Sequence, residues 1–243
     1  SYSYGQKERT EEIMTNFMSN SIFFGAALSL IAYEVGLLLK RKFKMAIFNP
    51  LLISIIAVIA VLCLLHIDYD TYNQSGQYIS YLLTPATVCL AVPLYQQMEL
   101  LKKNLKAVVI GIVSGVLASL VSVLILARLF RLSHEQYVTL LPKSITTAIG
   151  MGVSEELGGI VTITVAVIII TGVLGNMVAE TVIKLAHIEE PIAKGLALGT
   201  SSHAIGTAKA MELGEIEGAM SSLAIAVAGL LTVVGASVFA QFM

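Results

Sequence analysis

Four strongly apolar runs of 18 or more positions in this 243-residue chain contain no Asp, Glu, Lys or Arg: 48–65 (FNPLLISIIAVIAVLCLL), 107–127 (AVVIGIVSGVLASLVSVLILA), 157–179 (LGGIVTITVAVIIITGVLGNMVA) and 218–243 (GAMSSLAIAVAGLLTVVGASVFAQFM). A helix needs about 20 apolar residues to cross the hydrocarbon of a bilayer. Composition agrees, with 56% apolar residues and a mean hydropathy of +0.85. Charged residues make up 13% of the chain, against about a quarter in ordinary soluble domains. The chain reads as an all-α polytopic membrane protein whose solvent is the lipid bilayer.

The formal net charge of −1, with no arginine-rich arm or aromatic platform, gives no reason to expect a nucleic-acid partner. Cys63 and Cys89 lie in apolar surroundings and read as free thiols. No GxSxG, HExxH, Walker loop or paired zinc ligands appear. The reading is therefore not an enzyme, with no metal and no cofactor.

Residues 1–16 form a polar tail, and 17–39 read as a retained span because no small-residue cleavage site follows a short core. Lys40, Arg41, Lys42 and Lys44 are the densest positive cluster, which places that loop in the cytoplasm and the amino terminus outside. Residues 66–77, with two acids, read as an outer loop. The stretch 78–101 holds Pro85 and Pro93, each lacking a backbone donor, so a broken helix facing protein or a watery cavity is expected there. Residues 132–159 are too polar for a lipid-facing helix and are either a re-entrant segment or a second broken crossing, giving about seven or eight membrane segments.

The order span, polar break, span occurs twice, at an offset of about 112 to 116 residues. It divides a single transmembrane domain, 17–243, into repeats of about 17–131 and 132–243. If 138–158 dips in and returns, the repeats are inverted; if it crosses, they are parallel. Many secondary transporters use the inverted arrangement, with discontinuous helices at the midplane.

Two polar stretches carry the chemistry. In PKSITT (142–147), Pro142 initiates a helix whose start, with Lys143, Ser144, Thr146 and Thr147, suits an anion; the plainer alternative is that Lys143 snorkels from a helix end. In GTSSHAIGTAKAMELGE (199–215), Ser201 and Ser202 are candidate helix caps, Gly199 and Gly206 candidate break points, and His203 and Thr207 share a face. His203 is a proton carrier or a structural group. Thr87 stands opposite these groups if the repeats face each other. Glu155 and Glu156 either cap the following span or couple to protons, and Lys209 with Glu212 or Glu215 reads as an interfacial ion pair. His66, His134 and His187 sit at loop edges with no specific role.

PATVCLAVPLY (85–95), PKSITTAIGM (142–151) and GTSSHAIGTAKAMELGEIEGAMSSLA (199–224) resemble the signature blocks of the LrgB/CidB membrane protein family. The pattern departs at Ala148, where the family often has proline, and at Lys209, where it often has arginine. The resemblance implies a multi-pass protein of the bacterial cytoplasmic membrane paired with a small LrgA/CidA-type partner. It further implies a link to murein hydrolase control and lysis, or to pyruvate, glycolate and glycerate movement as in the plastid relative.

The leading expectation is a secondary transporter of small monocarboxylates, with protons a candidate coupling ion and a dimer as the candidate assembly. Lys143 would hold the carboxylate, Ser144, Thr146, Thr147 and Thr87 the oxygens, and His203, with Ser202 and Thr207, the proton or a hydroxyl. The rival is a holin- or antiholin-like regulator without a substrate site.

Overall fold

The computed structural model describes residue 21, residues 23–43, residue 45, residues 48–89 and residues 91–243. All regular structure among the described residues is helical. Two compact units divide the chain, Ser1–Thr87 and Val88–Met243.

In the first unit, α1 (Phe24–Phe43) packs on α2 (Pro50–Leu64) and α3 (Tyr69–Ser80). Asn49 starts α2 by accepting from the N–H groups of Leu51 and Leu52, and Pro50 takes the first helical position, where its missing donor has no cost. The segment 66–77, expected as a loop, is largely the helix α3. Side-chain contacts decide this: Ser75 accepts from the Gly25 N–H, and the Ser29 hydroxyl lies 2.7 Å from that of Tyr72. The short α4 (Leu83–Cys89) lies across the boundary between the units.

The apolar stretch 78–101 is broken as expected, into the end of α3, then α4, α5 (Ala91–Gln96) and α6 (Met98–Lys103). Pro85 occupies the third position of the short α4. First-turn N–H groups have no intrahelical partner, so Pro85 lies in the first turn of its helix and does not interrupt it.

The second unit holds the three described helices long and apolar enough to cross a membrane: α7 (Leu105–Leu129), α10 (Val161–Leu185) and α12 (Glu215–Phe239, continued by a 3₁₀ turn to Phe242). α7 buries Val108, Ile112, Val116, Leu120, Val123 and Ala127, one stripe at helical spacing. That stripe meets Tyr137, Leu141, Ile145, Met220, Ala224 and Ala228 in the core. Between the long helices lie α8 (His134–Leu140), α9 (Thr147–Glu156) and α11 (Pro191–Leu213).

α2, α7 and α10 end alike. His66, Arg131 and His187 adopt φ of 52°, 53° and 51°, and the next N–H bonds back to Leu62, Ala127 and Ile183. This is a left-handed helix stop of the kind usually given to glycine. At the end of α7, Arg131 instead places a positive charge at the negative end of the helix. Two of the histidines expected to have no role thus terminate helices. His134 Nδ1 pairs with the backbone oxygen of Met243 at 2.6 Å.

α7 and α10 are each 25 residues long and begin 56 positions apart. At the same spacing Arg131 matches His187, Ala148-Ile149-Gly150 matches Ala204-Ile205-Gly206, and Glu156-Leu157-Gly158 matches Glu212-Leu213-Gly214.

Candidate functional site

Residues 134–160 make a closed excursion. The Thr139 hydroxyl accepts from the N–H of Ile160 at 2.8 Å, and the Thr164 hydroxyl donates to the Thr139 carbonyl at 2.9 Å and lies 2.6 Å from the Ser154 hydroxyl. Thr139, Ser154 and Thr164 are buried, so this hydroxyl knot stands in for water and ties the two short helices to the start of α10. The expectation that Pro142 initiates a helix is corrected. Pro142, Lys143 and Ser144 form turns, and α9 begins at Thr147 with Thr146 in the capping position but making no side-chain cap bond.

The tip of this excursion lies against α7. Lys143 Nζ donates to the Ser144 hydroxyl at 2.9 Å and to that of Ser119 at 3.4 Å, while the two hydroxyls are 3.0 Å apart. Ser144 is buried; Lys143 and Ser119 are half-buried. Glu155 and Glu156 are exposed at the end of α9 and do not cap the next helix. That helix, α10, has Ile160 in the capping position and no side-chain cap.

α11 is two helical arms. Ser202 (φ −132°, ψ 17°) and His203 (φ 42°, ψ −136°) are non-helical within it. A Cβ on Gly206 would meet the Leu198 carbonyl and Ser202. In a straight helix residues eight apart lie about 12 Å from each other, so the chain doubles back. The contacts with α12 agree: Gly199 and Thr207 both lie at Ser221, while Gly195 approaches Glu217 and Met211 approaches Gly218. The break therefore falls between the two glycines expected to make it. Gly199 serves close approach to Ser221 and Ala224, and Gly206 close approach of the two arms.

Glycines on the neighbouring helices make room for this tip. A side chain on Gly175 would overlap Ser202, one on Gly172 would overlap the His203 imidazole, and one on Gly115 would overlap Thr200. The second arm is tied to α10 at three heights: His203 Nε2 donates to the Ile168 carbonyl at 2.9 Å, Asn176 Nδ2 to the Ile205 carbonyl at 3.0 Å, and Lys209 pairs with Glu180 at 2.6 Å. Lys209 also pairs with Glu212 at 3.0 Å; Glu215 takes no part in either contact.

The hydroxyls of the second tip are engaged internally. Thr207 donates to the His203 carbonyl at 3.1 Å and lies 2.7 Å from the Ser221 hydroxyl, and Ser202 lies 3.0 Å from Ser201. Ser202, His203 and Thr207 are buried. A groove of about 580 Å³ runs along α7 and the first arm, from Asn104 and Glu190 to Ala118 and Thr200. Thr87 lies in the backbone of α4, and its side chain is outside the described residues.

The structure thus brings Lys143 together with Ser144, and His203 together with Thr207. Sequence reasoning missed Ser119, Gly172, Gly175, Asn176 and Ser221. They sit inside apolar runs whose lipid-like composition hid them; the available signal was that each is small or polar within a span, where such residues mark helix contacts.

The family model described as "LrgB-like family" matches residues 29–242. Proteins named "Antiholin-like protein LrgB" from Bacillus mycoides (strain KBAB4), Bacillus cereus (strain B4264) and Bacillus anthracis (strain CDC 684 / NRRL 3495) are each 39% identical over 221 residues, covering 90% of this chain and 96% of the relative. No solved structure matches.

Proposed function

The chain belongs to the LrgB-like family, and from that premise we propose that it is an antiholin-like, multi-pass protein of the bacterial cytoplasmic membrane that restrains murein hydrolase activity and lysis together with a small LrgA/CidA-type partner. The observation that carries this reading is the likeness to the relatives of that name, 39% identical over 90% of the chain. The test is a bacterial strain deleted for the chain, with and without its partner, and complemented. Complementation is expected to lower murein hydrolase activity and delay lysis. Identical lysis curves in all backgrounds would remove the reading.

A second reading, a carrier of small monocarboxylates such as pyruvate, glycolate or glycerate, is favoured by one observation: a buried polar helix interrupted at Ser202 and His203 beside a groove. Non-helical backbone at membrane depth is tolerated where it lines a cavity or is buried in protein. On this reading residues 105–213 are two repeats of opposite orientation. What supports that is the return of Ile160 to Thr139 at one end of α7 and the folding back of α11 from the other. Lys143, Ser144, Thr146 and Thr147 then serve the carboxylate, His203 is the candidate proton carrier, and the assembly is a dimer of such chains. Uptake of labelled pyruvate and glycolate into proteoliposomes, with and without a proton gradient and the partner, tests it. Saturable, competed uptake is expected; leakage of any dye regardless of chemistry points to membrane lesions instead.

A further inference from the structure

The two tips differ in what they have left to bind with. At Ser202 and His203 the imidazole Nε2–H and the Thr207 hydroxyl are engaged by Ile168, the His203 carbonyl and Ser221. Among the described residues, the hydrogen bonds of the Lys143 ammonium go to the hydroxyls of Ser144 and Ser119. Ion pairs among the described residues gather Lys184, Lys209, Glu180 and Glu212, and none includes Lys143.

Depth makes this charge unusual. Ser119 stands ten residues before Leu129 and fourteen after Leu105, the ends of α7. At about 1.5 Å per residue it is about 15 Å and 21 Å from those ends, inside a hydrocarbon layer of about 30 Å. A cation there without a carboxylate is costly and calls for an anion. The surroundings offer donors. Ser119 and Ser144 share one hydrogen bond, leaving an O–H free to point outward. α9, ten residues long, begins three positions beyond Ser144 with no side-chain cap on its first-turn N–H groups.

We propose that Lys143, Ser144 and Ser119 form a mid-membrane site for one small monovalent anion, a carboxylate or a halide. Ser119, from a span with no polar stretch of its own, supplies the third ligand and with it the size limit. A single ammonium balances a single charge; a divalent anion would leave net charge in the bilayer. The inference deepens the carrier reading, on which its purpose rests, but binding is measured independently of transport.

The experiment is calorimetric titration of the purified full chain in detergent with sodium pyruvate, sodium chloride and sodium sulfate, at constant ionic strength set with the sodium salt of a bulky sulfonate buffer. Saturable binding of pyruvate or chloride is expected, weakened at least about tenfold by Lys143→Ala and about three- to tenfold by Ser119→Ala. Elution profile and thermal melt establish that each variant is folded. If Lys143→Ala fails to fold, the half-exposed Ser119→Ala carries the test. Binding unchanged in a folded variant, no binding of either monovalent anion, or sulfate binding as tightly as both, overturns the site. Binding that the variants abolish, in a protein that takes up no anion in proteoliposomes, upholds the site and removes the carrier reading.

Discussion

The N–H of Ile160 donates to the hydroxyl of Thr139 at 2.8 Å although 21 positions separate them. The two short helices and the Lys143 tip between them leave and regain one level of the unit. On the second polar stretch the approach of Gly206 to the Leu198 carbonyl closes an equivalent excursion.

Thr139 is the point where the first excursion is fastened. Thr139→Val keeps the shape but strands the Ile160 N–H, a loss of about 1–3 kcal/mol. Thr139→Ser retains the acceptor and is expected to melt close to the parent in detergent. A Val variant as stable as the parent would show the bond to be dispensable.

At His203, φ of 42° with ψ of −136° is a conformation that side chains rarely adopt, and it costs about 1–3 kcal/mol in a non-glycine residue. Both His203→Gly and His203→Ala lose the bond to Ile168, but only glycine relieves the backbone. The glycine variant is expected to be the more stable, by about 1 kcal/mol or more. Equal melting temperatures would count against a strained turn.

Gly175 lies in a long helix, where alanine ordinarily gains about 1 kcal/mol in propensity. Here the Ser202 side chain fills the space, so Gly175→Ala is expected to lose about 1–3 kcal/mol through overpacking. Gly152, where an added Cβ would meet nothing within 4 Å, is the control. Gly152→Ala is expected to be neutral or stabilising in the same melt.

Lys209 bridges Glu180 and Glu212 with its own side chain 10% exposed and theirs about half exposed. Lys209→Met withdraws the charge that bridges two solvent-screened carboxylates and is expected to cost about 1–2 kcal/mol, less at high salt. Lys209→Arg keeps the charge and is expected to lose less. A Met variant indistinguishable from Arg would place the stabilisation in the aliphatic stem.

If the two excursions enter from opposite faces, Glu135→Cys and Glu189→Cys, both exposed positions, are labelled from opposite sides by an impermeant maleimide once Cys63 and Cys89 are changed to serine. Labelling of both from one side would exclude repeats of opposite orientation.

Helical class and the position of three long apolar helices were legible in residue order, because apolar transfer adds along a helix whatever packs beside it; of the other expected spans, 48–65 holds a helix of only 15 residues. The polar stretches were legible as places where function gathers, and the Pro85–Pro93 stretch as broken. Where those stretches turn was not. Gly199 and Gly206 look like break points by residue type, yet the turn falls on Ser202 and His203, because Gly172 and Gly175 on α10 open the space that receives them. The helix start moved from Pro142 to Thr147, and the partner of Lys143 proved to be Ser119, 24 positions away. Composition settles which solvent a chain lives in, since hydration is a property of each residue. Turns, pairings and depth are set by contacts between residues far apart in the chain, and those exist only once the helices are packed.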